Sequence, residues 1–222
     1  MSDIIVNNLK KSFKNGDTTT TVLDVDNLHI SGSSITAITG KSGSGKSTFL
    51  QILAGLENPT SGNVSIGGLS ISEKKLININ QLSNNEKSII RRKDLGFIYQ
   101  KNFLLKDFNV IDNLLIANNS KEKALYLLNE VGLIDKKDRL HSQLSGGEKQ
   151  RVSICRALMN DPIFIFADEP TGSLDVENTE KIWNLFLKLK KTHDFGLIMV
   201  THDLELANYC DINHKMVNGR IV

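Results

Sequence analysis

The sequence predicts an α/β protein built on a mainly parallel sheet. Three observations predict it. Strand-length apolar runs alternate with segments of helical periodicity; one such run, Ile35–Thr39, leads through glycines into a helix at Lys46; another, residues 163–167, ends in two adjacent acids. The 222 residues suit one globular unit with embellishments, and 40% hydrophobic with 23% charged residues is the balance of an ordinary folded protein. A net charge of +2 with no dominant basic run argues against a nucleic-acid surface. Apolar stretches such as 163–167 and 197–200 fall far below the ~20 residues that span a bilayer. The polar start Met1-Ser2-Asp3 lacks the layout of an export signal, so the chain is expected to remain in the cytoplasm. Cys155 and Cys210 stand in no metal-ligand spacing and are read as structural.

The elements follow in order. Residues 4–13 and 18–30 are β-rich and flank Asn15-Gly16-Asp17, a turn signal, so antiparallel strands should precede the main sheet. Ile35–Thr39 then gives strand, loop and a helix from Lys46 to near Gly55. Ser83 with Glu86 makes a capping-box pattern ahead of Ile89 and Ile90, and that helix should stop before the strand-like Leu95–Tyr99. Ala124, Leu127, Leu128 and Val131 fall at i, i+3, i+4 and i+7, with Gly132 where a helix would end. Ile182, Leu185, Phe186 and Leu189 repeat the spacing, and both stripes read as core faces.

Gly40-Lys41-Ser42-Gly43-Ser44-Gly45-Lys46-Ser47 fits the phosphate-loop pattern G-x-x-x-x-G-K-[ST] and stands between a predicted strand and helix, as that pattern requires. Its glycines let backbone N–H groups converge, and with the helix N-terminus they stabilise phosphate oxygens. Lys46 adds a point charge, and the Ser47 hydroxyl is a Mg²⁺ ligand candidate, with Thr48 beside it. A lysine followed by two hydroxyls has no packing rationale, so a nucleotide is expected here. The run ending in Asp168 and Glu169 supplies the second half of such a site at the C-terminal end of a strand. Asp168 would hold Mg²⁺, and Glu169 would orient or deprotonate a water for attack on the γ-phosphate.

Leu144-Ser145-Gly146-Gly147-Glu148, followed by Lys149-Gln150-Arg151, resembles the ABC signature motif. The resemblance covers nearly the whole chain. The Q-loop glutamine matches Gln100, the D-loop matches Ser173-Leu174-Asp175, and the switch histidine matches His202, in the family's order. It implies a P-loop NTPase fold of the RecA-like kind: a core from residues 1–99 and 157–222 with an antiparallel β layer, and a helical subdomain over 100–156. It also implies ATP and Mg²⁺ as ligands, Lys46, Gln100, Glu169 and His202 in catalysis, Ser47, Gln100 and Asp168 around the metal, and Asp175 near the nucleotide. Ser145-Gly146-Gly147 would open a helix toward Leu158 and, by the resemblance, cap the γ-phosphate held by a second subunit. A helix N-cap explains Ser145 alone and leaves the two glycines unaccounted for. Phe13 falls where the family places an aromatic that stacks on adenine; the alternative is a core role in the β layer. His29, His141, His193 and His214 are read as surface or structural.

Length separates the family's branches. Only 44 residues lie between Gln100 and Ser145, too few for the coiled coils of SMC-type ATPases, and one nucleotide domain excludes the two-domain translation factors; a SufC-type assembly ATPase stays as a minor alternative. Leu95-Gly96-Phe97-Ile98-Tyr99-Gln100, the stretch around Leu104, Leu105, Asp107 and Phe108, and residues 167–175 look like the LolD, MacB and FtsE group, nearest the LolD type. The segment 113–121 is shorter than is typical of that type. The expected partners are a second ATPase domain and integral membrane permease subunits, at the cytoplasmic side of the inner membrane. Phe103, Leu104, Leu105 and Phe108 are each either core or docking surface for such a subunit, with Leu105 chosen as an exposed member.

Overall fold

The computed structural model describes residues 2–72 and 75–222. The chain opens with β1 (Asp3–Asn15) and β2 (Thr18–Ser31), an antiparallel hairpin turning at residues 16–17, as the Asn-Gly-Asp signal requires. Along β1 the buried residues are Ile4 and Val6 and then Leu9; the odd step is absorbed by Asn8, left-handed at φ 46°. Such an irregularity moves the inward phase by one residue without breaking the strand. After β3 (Ile35–Thr39) and α1 (Lys46–Leu53), β4 (Ser61–Ile66) and β5 (Ile77–Asn78) complete a sheet of order β2-β1-β4-β5.

The sequence reading did not foresee β4 and β5, which are short and have little apolar run. α2 (Asn84–Lys93) begins at the capping box of Ser83 and Glu86, as their spacing predicts, and β6 (Leu95–Tyr99) follows directly. Three helices come next: α3 (Val110–Leu115), α4 (Lys121–Glu130) and α5 (Gly146–Leu158). Gly132 ends α4 at φ +68°, a conformation that side chains with a Cβ resist. β7 (Phe164–Asp168), α6 (Val176–Thr192), β8 (Gly196–Thr201), α7 (Leu204–Asn208), β9 (Ile212–Val217) and β10 (Arg220–Ile221) finish the chain.

The main sheet has the order β10-β9-β3-β8-β7-β6, parallel throughout except for the β9–β10 hairpin. It is covered on both faces, and strand alternation divides its side chains between two cores. Ile165, Ala167, Leu197 and Met199 point to the core shared with α3, α4, α5 and α6; Phe164, Phe166, Ile198 and Val200 point to the core shared with α1 and the antiparallel sheet. Close approach of α5 to β6 needs Gly96, where an added Cβ would stand 2.9 Å from the Ala157 carbonyl. Cys155 is fully buried and burial pushes its thiol well above the ordinary range; that of Cys210 is pushed up to about 12, again by burial. Both fit the structural reading, since only the thiolate is reactive.

Candidate active site

The register of the parallel strands decides what meets at the sheet's C-terminal edge. β3 ends at Thr39 opposite Thr201 of β8, β7 ends at Asp168 opposite Val200, and β6 ends at Tyr99 opposite Asp168. The loops leaving these ends therefore deliver the phosphate loop, Gln100, Glu169 and His202 to one place. There a cleft of about 740 Å³ is lined by Val22, residues 42–43 and 45–48, Gln100, Asp168, Glu169 and His202. That volume lies within the usual range of small-molecule sites, about 300–1,000 Å³.

The loop over residues 40–47 is held by its surroundings. Gly45 caps α1 at φ 102°, and a Cβ there would press within 2.9 Å of the Val22 carbonyl, so the antiparallel layer buttresses the loop. The Gly219 N–H donates to the Ser44 carbonyl at 2.9 Å, tying the β9–β10 turn to the same loop. Lys46, 6% exposed, donates to the carbonyls of Gly40 and Lys41 at 2.8 and 3.1 Å. Those carbonyls place the ammonium inside the curve of N–H groups where phosphate oxygens would lie.

The Ser47 hydroxyl donates to Asp168 Oδ1 at 3.0 Å. Burial raises the Asp168 carboxyl above its ordinary range and the neighbouring Glu169 charge adds to this, while the Ser47 bond and Lys46 oppose it. Two hard oxygen donors facing one another at the phosphate end of the cleft fit Mg²⁺, which takes few protein ligands and completes its shell with water and phosphate. Glu169 has left-handed backbone, φ 49°, and its N–H donates to the Val200 carbonyl at 2.9 Å. A non-glycine residue held in this region marks a backbone constrained by its neighbours. The turn carries the carboxylate to His202, with Nδ1 and Glu169 Oε2 at 2.6 Å. Gln100 lies against Gly172, where a Cβ would meet its Nε2 at 2.8 Å.

Other expected residues sit elsewhere. Phe13 is not part of the cleft lining; it stands opposite Thr20 in the hairpin, 44% exposed, with the Lys11 ammonium 4.7 Å from its ring centroid. That exposure also sets aside a core role for it. Val22, a lining residue that carries no motif, was legible only through the fold. Asp175 caps α6, accepting from the Asn178 N–H at 2.8 Å, and that bond holds its exposed carboxyl below the ordinary range.

Ser145, Gly146 and Gly147 open α5 outside the lining of the cleft. Gly147 now has a packing reason that the sequence did not reveal: a Cβ there would stand 2.7 Å from Asn178 Oδ1. Gly146 is less constrained, with Leu174 3.4 Å from its added Cβ. Glu148 completes a capping box with Ser145 and is paired with Lys136; the Lys136 bond, then the Ser145 N–H, lower its carboxyl to about 2. Of the histidines outside the motifs, His193 bonds Glu130 at 2.8 Å, and His29 lies 3.4 Å from Asp3.

A stability prediction follows from Glu148. Its folded pKa is depressed, so the stabilisation is complete above the ordinary value of 4.5 and is lost as pH falls toward about 2. Glu148→Gln should therefore cost about 1–3 kcal/mol near pH 7 and roughly half as much near pH 3, because the carboxylate protonates in the folded chain only near pH 2. Urea midpoints of both proteins at the two pH values measure this, and a constant gap would show that the charge is irrelevant.

The comparisons with known proteins agree with this geometry. A family described as ABC transporter matches residues 23–172. The lipoprotein-releasing system ATP-binding protein LolD of Buchnera aphidicola (subsp. Acyrthosiphon pisum) is 43% identical, covering 100% of this chain and 98% of its own. The protein of the same name from Treponema denticola is 40% identical, with 98% and 96% covered. A solved dimeric ATP-binding cassette in a post-hydrolysis state, bound to ADP and phosphate, superposes with a TM-score of 0.86 at 32% identity, over 98% of this chain and 96% of that one. The ADP conformation of another ABC transporter cassette gives 0.83 at 27% identity, over 100% and 90%.

Proposed function

The chain belongs to the ABC transporter family, and on that premise we propose that it binds and hydrolyses ATP to power lipoprotein release by a membrane complex. The observation that carries the ATPase reading is the meeting of the Ser47–Asp168 and Glu169–His202 pairs in one cleft with the phosphate loop. The relatives named LolD, at about 40% identity over nearly full length, support the lipoprotein assignment over MacB-like, FtsE-like or SufC-like roles.

In this reading the N–H groups of residues 42–48 and the Lys46 ammonium hold the phosphates, and Ser47 and Asp168 hold Mg²⁺ with Gln100 beside them. When bound, Mg²⁺ neutralises charge on the β- and γ-phosphate oxygens. Glu169 takes the proton of the attacking water, and His202 fixes the direction in which its carboxylate points. Two copies close on two nucleotides, each presenting Ser145-Gly146-Gly147 to the other's phosphate loop; the similar solved cassette is dimeric and bound to ADP and phosphate, which supports pairing of two copies. Residues 100–156 act as the helical subdomain that moves the signature motif.

Among the described residues, no helix is long and apolar enough to cross a membrane. Attachment to the cytoplasmic face of the inner membrane is therefore assigned to separate permease subunits. Their dock is the loop after Gln100. Leu104 is buried at 7%, while Phe103, Leu105 and Phe108 project at 62%, 45% and 42% exposure. The loop beneath them is rigid: Asn113, 2% exposed, accepts from the Leu105 N–H and donates to the carbonyls of Leu105, Phe108 and Asn109. Exposed apolar side chains on a fixed backbone suit a partner.

Leu105→Asp is expected to melt within a few degrees of the parent yet fail to co-purify with the membrane subunits, whose identification by peptide sequencing also tests the lipoprotein assignment. A folded variant recovered in complex at parental yield places the dock elsewhere.

A further inference from the structure

A second cavity, about 470 Å³, shares no lining residue with the nucleotide cleft and is walled by Asn58, Thr60, Ser61, Asn80, Asn84 and Lys87 among others. Lys87 is the anomaly. It is 5% exposed, and its ammonium donates to Asn58 Oδ1 at 2.7 Å. Among the described residues no carboxylate forms an ion pair with it. An ammonium has three N–H groups, and burying it against one neutral oxygen leaves its charge uncompensated.

The amide oxygens beside it are engaged. Asn58 Oδ1 faces Lys87, and Asn80 Oδ1 takes the Val64 N–H at 2.7 Å. Each amide is thereby fixed with its oxygen engaged, and its Nδ2 group remains as a donor. The Asn58 carbonyl is taken by Lys11 at 2.8 Å. The two neighbouring carboxylates are also committed: Glu57 pairs with Lys11 at 2.9 Å, and Glu86 turns back to the Ser83 N–H at 2.8 Å in the capping box. Asn84, the first residue of α2, adds a backbone N–H that no intrahelical carbonyl can reach. The wall thus offers a buried positive charge, with no carboxylate among the described residues paired to it, and a set of N–H donors.

We infer that the cavity beside Lys87 is a binding site for a phosphate-type oxyanion, separate from the nucleotide cleft. A tetrahedral oxyanion is all acceptor and negative, the complement of what the wall offers. It can be inorganic phosphate or the headgroup of an anionic phospholipid, and the two are separable by experiment.

The test uses the ¹⁵N-labelled full chain with its nucleotide cleft kept filled by ADP and Mg²⁺. Inorganic phosphate is titrated against chloride at matched ionic strength, following the amides of Asn84 and Lys87 and the side-chain NH₂ groups of Asn58 and Asn80. Saturable shifts with phosphate alone are expected, weakened about 10-fold or more in Lys87→Met and retained in Lys87→Arg. If Lys87→Met does not fold, Asn80→Asp places a negative charge in the cavity and should abolish the shifts. Unsaturable shifts, shifts equal with chloride, or shifts unchanged in Lys87→Met or Asn80→Asp overturn the site. Sedimentation with phosphatidylglycerol against phosphatidylcholine vesicles then names the source. Lys87-dependent capture by the anionic vesicles assigns a headgroup, phosphate shifts without capture assign the free anion, and the absence of both overturns the proposal.

Discussion

Replacing Glu169 with glutamine is expected to lower ATP turnover by about 10²–10⁴-fold while leaving ATP binding intact. The substitution keeps the side chain's shape, and a neutral amide can still meet His202 Nδ1, which lies 2.6 Å from Oε2 in the parent. It leaves the Ser47–Asp168 pair and the Lys46 contacts in place, so the groups proposed to hold the phosphates and Mg²⁺ are unchanged. What disappears is the ability to accept a proton at a point fixed by the left-handed turn at φ 49°. A closed ATP-bound dimer should therefore accumulate. Single-turnover hydrolysis with radiolabelled ATP, alongside nucleotide-binding titration, measures both halves. A single-turnover rate within about threefold of the parent would place the base elsewhere, because a positioned base contributes far more than that.

Much of this site was legible because its chemistry uses contiguous residues. Gly40 to Ser47 must be continuous for backbone N–H groups to converge, and Asp168 with Glu169 must follow a buried strand to reach the sheet's edge, so short stretches of sequence carry both. The convergence of Gln100 and His202 was not readable from residues alone; it depends on the register of β6, β7 and β8, and only the resemblance placed them. Phe13 was placed by the resemblance alone; its ring stands exposed in the hairpin, outside the cleft lining. Gly147 shows the converse. Its small size reflects Asn178, 31 positions away on another helix, and no local pattern announces that contact. β4, β9 and β10 escaped notice for a related reason: alternating burial on short or edge strands leaves few apolar residues to count.

Two inactive variants of this chain should restore hydrolysis when mixed, because Lys46 and Ser145 are proposed to serve one ATP from different copies. Lys46 opens α1 inside the cleft, whereas Ser145 opens α5 outside its lining. In a two-fold symmetric pair each nucleotide then meets the lysine of one copy and the signature helix of the other. Lys46→Ala removes the point charge on the phosphates, and Ser145→Arg fills the helix opening that should approach the γ-phosphate; each homodimer carries two defective sites. A mixed dimer gathers both lesions in one site and leaves the other intact. If the sites act independently, equal mixing makes half the dimers mixed, and activity should recover to about a quarter of the parent's. Ser145 is also an N-cap, and losing it costs roughly 1 kcal/mol, so circular dichroism must first show that Ser145→Arg is folded. Steady-state hydrolysis across a series of mixing ratios makes the measurement, with parent chains mixed at the same concentrations as reference. If no ratio exceeds either variant alone while the reference stays active, Lys46 and Ser145 do not build independent sites across two copies.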